Sequence, residues 1–260
     1  YLIETVIRTV KMGHTFTQGT SDSNEVWLEV EARSGDRVIG RSGARDTDGS
    51  VDPWSHFVNQ FLVDRNGYRI DRRNAESIFA PVYNNQIPPG AADVVHYRLD
   101  VPHDVTEPIV VTVKLNFRKF DTTYMKHVLG EDYVNVLPIM VLAGDRVVFP
   151  VRADQPVIND GSDILEWQRW NDYGIGLLRK RGQGELRQAE AAFKVVEGLG
   201  QPDGALNLAR VYLREGRIAR DAPAALRRAA AFDPPAPEWT VLWFSGLVNK
   251  HNARFDEAIR

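Results

Sequence analysis

The chain has 260 residues, a formal net charge of −3, 43% hydrophobic and 26% charged residues, and no cysteine. That length suits one large domain or two ordinary ones, and the charge gives no basic footprint for nucleic acid. No apolar run approaches the ~20 residues that cross a bilayer, and zero cysteines exclude disulfides, thiolate nucleophiles, zinc–thiolate centres and covalent haem attachment within these residues.

From residue 1 to about 156 the signals are those of β-structure. YLIETVIRTV spreads Val and Ile over both faces, as in a strand covered on two sides. A polar, glycine-punctuated loop over 13–24 leads into EVWLEVEAR, the clearest strand of the first half. There Val26, Leu28, Val30 and Ala32 point one way, and Glu29, Glu31 and Arg33 the other. Ser34-Gly35-Asp36 is a turn signal and RVIGRS a return strand. After the polar ARDTDGSVDPWSH come FVNQFLVD, the turn RNG and YRI, and YNNQIPPGAAD is turn chemistry again. Two long alternating strands follow. One sets Val95, Tyr97, Leu99 and Val101 on a single face; the other sets Ile109, Val111, Val113, Leu115 and Phe117. Charges and hydroxyls on their other faces are expected in solvent. RKFDTTYMKHVLG predicts a short helix near 121–130 capped by Asp121 or Thr122, and LPIMVL and RVVFPV predict closing strands. Short strands separated by turns predict an antiparallel, immunoglobulin-like β-sandwich over 1–156.

The composition then changes. Residues 157–163 form a polar linker, and from 164 to 260 the periodicity is helical: three helix–turn–helix segments, the third cut short. Gly174, Ala209 and Gly246 fall at a small-residue position of each first helix, 35 and 37 residues apart. Ala189, Ala222 and Ala258 do so on each second helix, 33 and 36 apart. This resembles the 34-residue tetratricopeptide period with short insertions. In the second repeat Leu208-Ala209, Tyr212, Gly216, Ala222, Leu226, Ala229 and Pro234 occupy the family's positions. Small residues serve where two helices approach closely. Both ends of the sequence read as cut, so a piece of a longer protein is expected.

Four residues are candidates for chemistry. His14, in Gly13-His14-Thr15-Phe16, could be a metal or haem ligand offered from a loop or could hydrogen-bond that loop into place; Asp22, Asn24 and Glu25 follow it closely. Asp46, Asp48 and Asp52 lie in DTDGSVD, which opens like a calcium loop but has Phe57 where an EF-hand needs its bidentate Glu. A plain Asp-Gly turn is the competing reading. His56 and His96 share no metal-ligand spacing, and His96 alternates with core residues as a solvent-face position would. Arg179, Lys180, Arg181, Arg227 and Arg228 could line a basic groove or a solvated face. Trp239 and Trp243, about one turn apart, are expected to pack between repeats. No catalytic nucleophile or acid–base pair stands out.

Taken together, GHTFTQGTSDSNEVWLEVEA, DTDGSVDP, NNQIPPG before VVHYRLDVP, and LNFRKFDTTYMKHVLG resemble the non-haem C-terminal part of bacterial multihaem c-type cytochromes that carry tetratricopeptide repeats. The resemblance implies a β-sandwich with a Gly-His-x-x-Pro-x-Gly loop followed by helical repeats. Thr17 stands here where that loop has proline. It also implies an exported, periplasmic protein, with any haem held by residues preceding Tyr1 and His14 facing it. The expected function is a non-catalytic scaffold for a protein or peptide partner in electron transfer. The alternative is a ligand-binding sandwich, for carbohydrate or calcium, with an attached repeat domain.

Overall fold

The computed structural model describes residues 1–17, 19, 22–159, 163–180 and 182–259. They fall into two compact units. The first comprises Tyr1–Thr5, Thr9–Gly90 and Val95–Ser162, the second Val6–Arg8, Ala91–Val94 and Asp163–Arg260.

The strands are β1 (Leu2–Arg8), β2 (Glu25–Ser34), β3 (Arg37–Ser42), β4 (Gln60–Val63), β5 (Ala80–Asn84), β6 (Ala92–Arg98), β7 (Ile109–Arg118), β8 (Met140–Phe149) and β9 (Ile158–Asn159). The main sheet runs β3-β2-β7-β8-β9, antiparallel at each pairing. β1 pairs with β6, and β4 with β5 as an antiparallel ribbon. Gly35, at φ +55, turns β2 into β3, a conformation glycine adopts without steric cost. LPIMVL and RVVFPV, read as two strands, contribute to a single one. β8 runs unbroken from Met140 because one extra residue, Leu142, is taken up as a bulge opposite Leu115 and Asn116.

β2 and β7 pair residue for residue, from Glu25 opposite Arg118 to Ser34 opposite Ile109. Their apolar face is buried as the alternation requires: Val26, Leu28, Val30, Ala32, Ile109, Val111 and Leu115 are all core. The opposite face is not simply wet. Trp27, Glu25, Asn116 and Arg118 are buried too. Arg118 donates to the Gly49 carbonyl and to Thr122 Oγ1, so the Asp-Gly loop and the start of α1 (Thr122–Leu129) lie against that end of the sheet. Asp121 caps α1, accepting from the Tyr124 amide at 2.7 Å.

The second unit is built from α2 (Glu166–Lys180), α3 (Gln183–Gly198), α4 (Pro202–Arg214), α5 (Asp221–Ala231), α6 (Glu238–His251) and α7 (Phe255–Ile259). Each helix packs on the next in sequence, and α4 also touches both α2 and α6. Among the described residues this makes three hairpins in a repeat array. Its core is apolar and rich in alanine: Ala189, Ala205, Ala209, Ala222, Ala225 and Ala229 are fully buried around Leu177, Phe193, Leu208 and Val211. The small residues mark close crossings. A Cβ on Gly174 would lie 2.6 Å from the Phe193 ring, and one on Gly204 would lie 2.6 Å from the Glu197 Cα. Val94 belongs to this core, Arg8 pairs with Asp172 at 2.8 Å, and Arg179 donates to the Ala92 carbonyl at 2.7 Å.

Candidate functional site

Three places collect polar or aromatic side chains. The first is the loop that holds His14, whose ring is exposed. Its Nδ1 lies 3.0 Å from the Thr15 carbonyl. A carbonyl only accepts, so that bond puts the proton on Nδ1 and leaves the Nε2 lone pair unspent by it. The loop is anchored beyond His14: Phe16 exchanges backbone hydrogen bonds with Ile87, and Thr17 Oγ1 donates to the Val58 carbonyl at 2.8 Å. Of the neighbours singled out with His14, Asn24 accepts from Asn59 Nδ2 at 2.8 Å, and Asn59 Oδ1 accepts from the Val26 amide. Asp22 Oδ2 is buried and has no hydrogen-bond partner among the described residues.

The second place is the Asp-Gly loop, clamped from two sides. Asp48 accepts from Lys126 Nζ at 2.8 Å and from the amide and hydroxyl of Ser50, contacts that hold its carboxyl well below the usual range. The Asn135 amide donates to the Asp48 carbonyl. Asp46 closes the turn through its backbone, bonding to Ser50 and Gly49, and Asp52 accepts from the Trp54 amide. The three aspartates thus bracket one turn, and among the described residues no three His, Asp or Glu side chains are grouped to hold a metal ion.

Beneath that loop sits a cluster that strand alternation did not reveal. Arg118 is fully buried and ion-paired with Glu25; it also lies over the Trp27 ring and reaches the Gly49 carbonyl at 2.7 Å. Burial pushes the Glu25 carboxyl up to about 7, against the downward pull of Arg118. Nearby Asp121 is also raised by burial, opposed by its bond from the Tyr124 amide and by the charge of Arg69, 3.3 Å away. Only the strand register brings Glu25 and Arg118, 93 positions apart, face to face.

The third place is the helical unit. Most of its anticipated basic groove is spent on neighbours. Arg228 forks onto Glu197, Lys180 lies 3.8 Å from Asp93, and Arg179 is bound to a carbonyl; Arg181 lies outside the described residues. Arg217 joins Glu190, Glu215 and Asp221 and stacks 4.1 Å over the Tyr212 ring. The two tryptophans of α6 do not fill the space between repeats. Trp239 is 73% and Trp243 63% exposed, because α6 turns Val241, Phe244 and Val248 toward the core. No helix among the described residues is long and apolar enough to cross a membrane.

No protein-family model matches the sequence, and no curated protein matches it significantly. Among solved structures, a penta-haem cytochrome c552 from Thermochromatium tepidum is similar over 57% of this chain and 36% of its own. The identity is 14% and the TM-score 0.42.

Proposed function

We propose that this chain is a non-catalytic interaction module of an exported, multihaem-cytochrome-like electron-transfer protein. Its helical unit is a tetratricopeptide array that holds a protein or peptide, and its β unit is an immunoglobulin-like sandwich. The observation that carries this reading is the stacking of three hairpins with small residues at their crossings, Gly174 on Phe193 above all. Such arrays bury a continuous core between neighbours and turn one long face outward for a partner. The electron-transfer context rests on the sequence resemblance of the His14 loop and its companions. The exposed imidazole, bonded at Nδ1, suits a ring that faces a haem held outside these residues.

Two experiments test it. A photo-crosslinking amino acid placed at Trp170 or Trp243, on first helices of the array, is expected to capture a partner in cells that make the protein. The same group at Trp54 or Tyr68, exposed in the β unit, is expected to capture none. Adducts from the β positions alone would overturn the array as the holding surface. For the haem, His14→Ala is expected to shift the absorption of the complete haem-loaded protein. An unchanged spectrum removes His14 from the haem's surroundings.

A further inference from the structure

β5 buries none of its residues. In an ordinary strand alternate side chains meet a core. Here Val82 is 64% exposed and Phe79, just before the strand, 59%; Ile78 and Tyr83 are exposed too. These four side chains, all within residues 78–83, leave about 400 Å² of surface to solvent, the size at which a patch on a monomer marks an interaction. The strand is poorly suited to pairing with another chain. Among the described residues β5 pairs only with β4, and Pro81 on it has no N–H to give to a further strand. What this ribbon presents is its side chains.

Beside this apolar ridge lie three arginines at intervals of four, each laid on an aromatic ring. Arg65 Cζ is 5.1 Å from the centre of the Phe79 ring, and Arg69 Cζ is 5.0 Å from that of Phe61, which packs on Tyr83 at 5.5 Å. Arg73 Cζ lies 5.1 Å from the Phe120 ring and 5.3 Å from that of Tyr124, and its Nε donates to Ser23 Oγ. Its backbone is at φ +60, a region that residues other than glycine enter only when their surroundings hold them there. Register explains how the cations share a face. Phe61 stands opposite Tyr83 and Arg69 opposite Val63, and Phe61 and Val63, two apart on β4, point the same way. Arg69 also reaches Asp121 at 3.3 Å, the cap of α1, whose neighbours Phe120 and Tyr124 carry Arg73. Two acids of the same stretch are spent: Asp64 on the amides of Asn66 and Tyr68, and Asp71 on Arg72. Cation–π pairs occur roughly once per 70–80 residues, so three arginines so placed within residues 65–73 make a cluster. A ring under one face of a guanidinium leaves its N–H edge for an acceptor.

We propose that this surface rests on a membrane. Ile78, Phe79 and Val82 enter the headgroup region of a bilayer, and Arg65, Arg69 and Arg73 take the phosphates of anionic lipids. Cations alone would serve any polyanion. Exposed aliphatic and aromatic side chains beside them gain only where they leave water, as the apolar face of an interfacial segment does. Tyr83, with an apolar ring and a polar tip, suits the same boundary. The surface belongs to the β unit and does not rest on the role given to the helical array.

The test is sedimentation of the intact chain with sucrose-loaded vesicles at low salt, made of phosphatidylcholine alone or mixed equally with phosphatidylglycerol. The chain is expected to bind the mixed vesicles at least about tenfold more tightly. Arg65→Gln is expected to weaken that binding about fivefold, the scale of one cation near an anionic surface, and Arg65→Lys to keep it. Phe79→Ser is expected to weaken it at least about tenfold. Trp54→Ser, at an exposed aromatic outside the ribbon, is expected to leave it unchanged. An unaltered melting temperature shows that the variants keep their fold; where Phe79→Ser lowers it, Val82→Ser gives the same reading from a second exposed side chain. Equal binding to the two kinds of vesicle, no binding to either, or indifference to both serine variants of the ribbon would each overturn the proposal. Capture by heparin without binding to vesicles would assign the arginines to a soluble polyanion and overturn the bilayer.

Discussion

The two units solve the same problem with opposite interiors. The helical unit buries alanine, leucine and valine almost without polar company; among the described residues Asp93, Asp172 and Asn207 are its buried polar ones. The β unit buries Ser23, Glu25, Asn59, Asn116, Arg118, Asp121 and Asn135. The difference follows from where each backbone satisfies its hydrogen bonds. A helix closes its own N–H and C=O groups, apart from its ends, so its side chains are free to be apolar and small. In the β unit, loops lie against the sheet, and their carbonyls need donors from elsewhere. Arg118 supplies Gly49, Asn135 Nδ2 supplies Phe120, and Gln86 supplies Thr17. The polar interior of the first unit is the means by which irregular backbone is held.

If that is right, the most damaging single change is Arg118→Met. It leaves Glu25 buried without a counter-charge and the Gly49 carbonyl without its donor. A loss of about 3–5 kcal/mol is expected at pH 8, the range for breaking one side of a buried pair. Urea unfolding followed by near-UV circular dichroism, to which Trp27 contributes, measures it. A loss below 1 kcal/mol would mean that the polar cluster is incidental to holding the loop.

Glu25 sharpens the same point through pH. Burial raises its pKa from 4.5 to about 7 in the folded chain. Between those values the folded state keeps a proton that the unfolded state has released. The resulting stabilisation is full below 4.5 and is lost as pH rises to about 7. Its upper limit is about 3 kcal/mol. Glu25→Gln keeps the shape and an acceptor for Arg118 but cannot titrate. Its melting temperature is therefore expected to lack the decline that the unaltered chain shows across this window. Parallel curves for the two proteins would show that Glu25 is ionised throughout.

In the helical unit the sensitive quantity is distance. A methyl group on Gly204 would meet the backbone of α3 at Glu197, which cannot rotate away. Gly204→Ala is expected to cost about 1–3 kcal/mol despite the better helix propensity of alanine. Thermal unfolding at 222 nm reads it directly.

The same contrast explains what could be read from the residues. The helical unit was legible because each close crossing leaves a small residue at a repeating interval, and Gly174, Ala189, Ala209 and Ala222 are buried at such crossings. In the β unit the apolar faces of β2 and β7 were legible, and so was the cap at Asp121. The cluster of Glu25, Trp27 and Arg118 was not, since alternation treats the second face of a strand as wet and says nothing of a loop folded over it. Lys126 and Asp48 lie 78 positions apart, so no local pattern joins them. Trp239 and Trp243 misled for a related reason: α6 faces its core with Val241, Phe244 and Val248, and size alone does not choose the buried side of a helix.

The smallest expected effect tests the distance argument with the chemistry held constant. Gly184 is exposed in the first turn of α3, with nothing within 4 Å of the position a Cβ would take. Its backbone does not take the positive φ that favours glycine. Gly184→Ala therefore meets no clash and reduces the freedom of the unfolded chain, so it is expected to stabilise by about 0.4–1 kcal/mol. Set beside Gly204→Ala, the identical substitution should change sign within one unit, and the difference between the two melting temperatures isolates the close approach of α3 and α4 from helix propensity. If both variants were stabilised, the crossing at Gly204 would have room to relax, and small residues at the repeat interval would no longer explain how the hairpins stack.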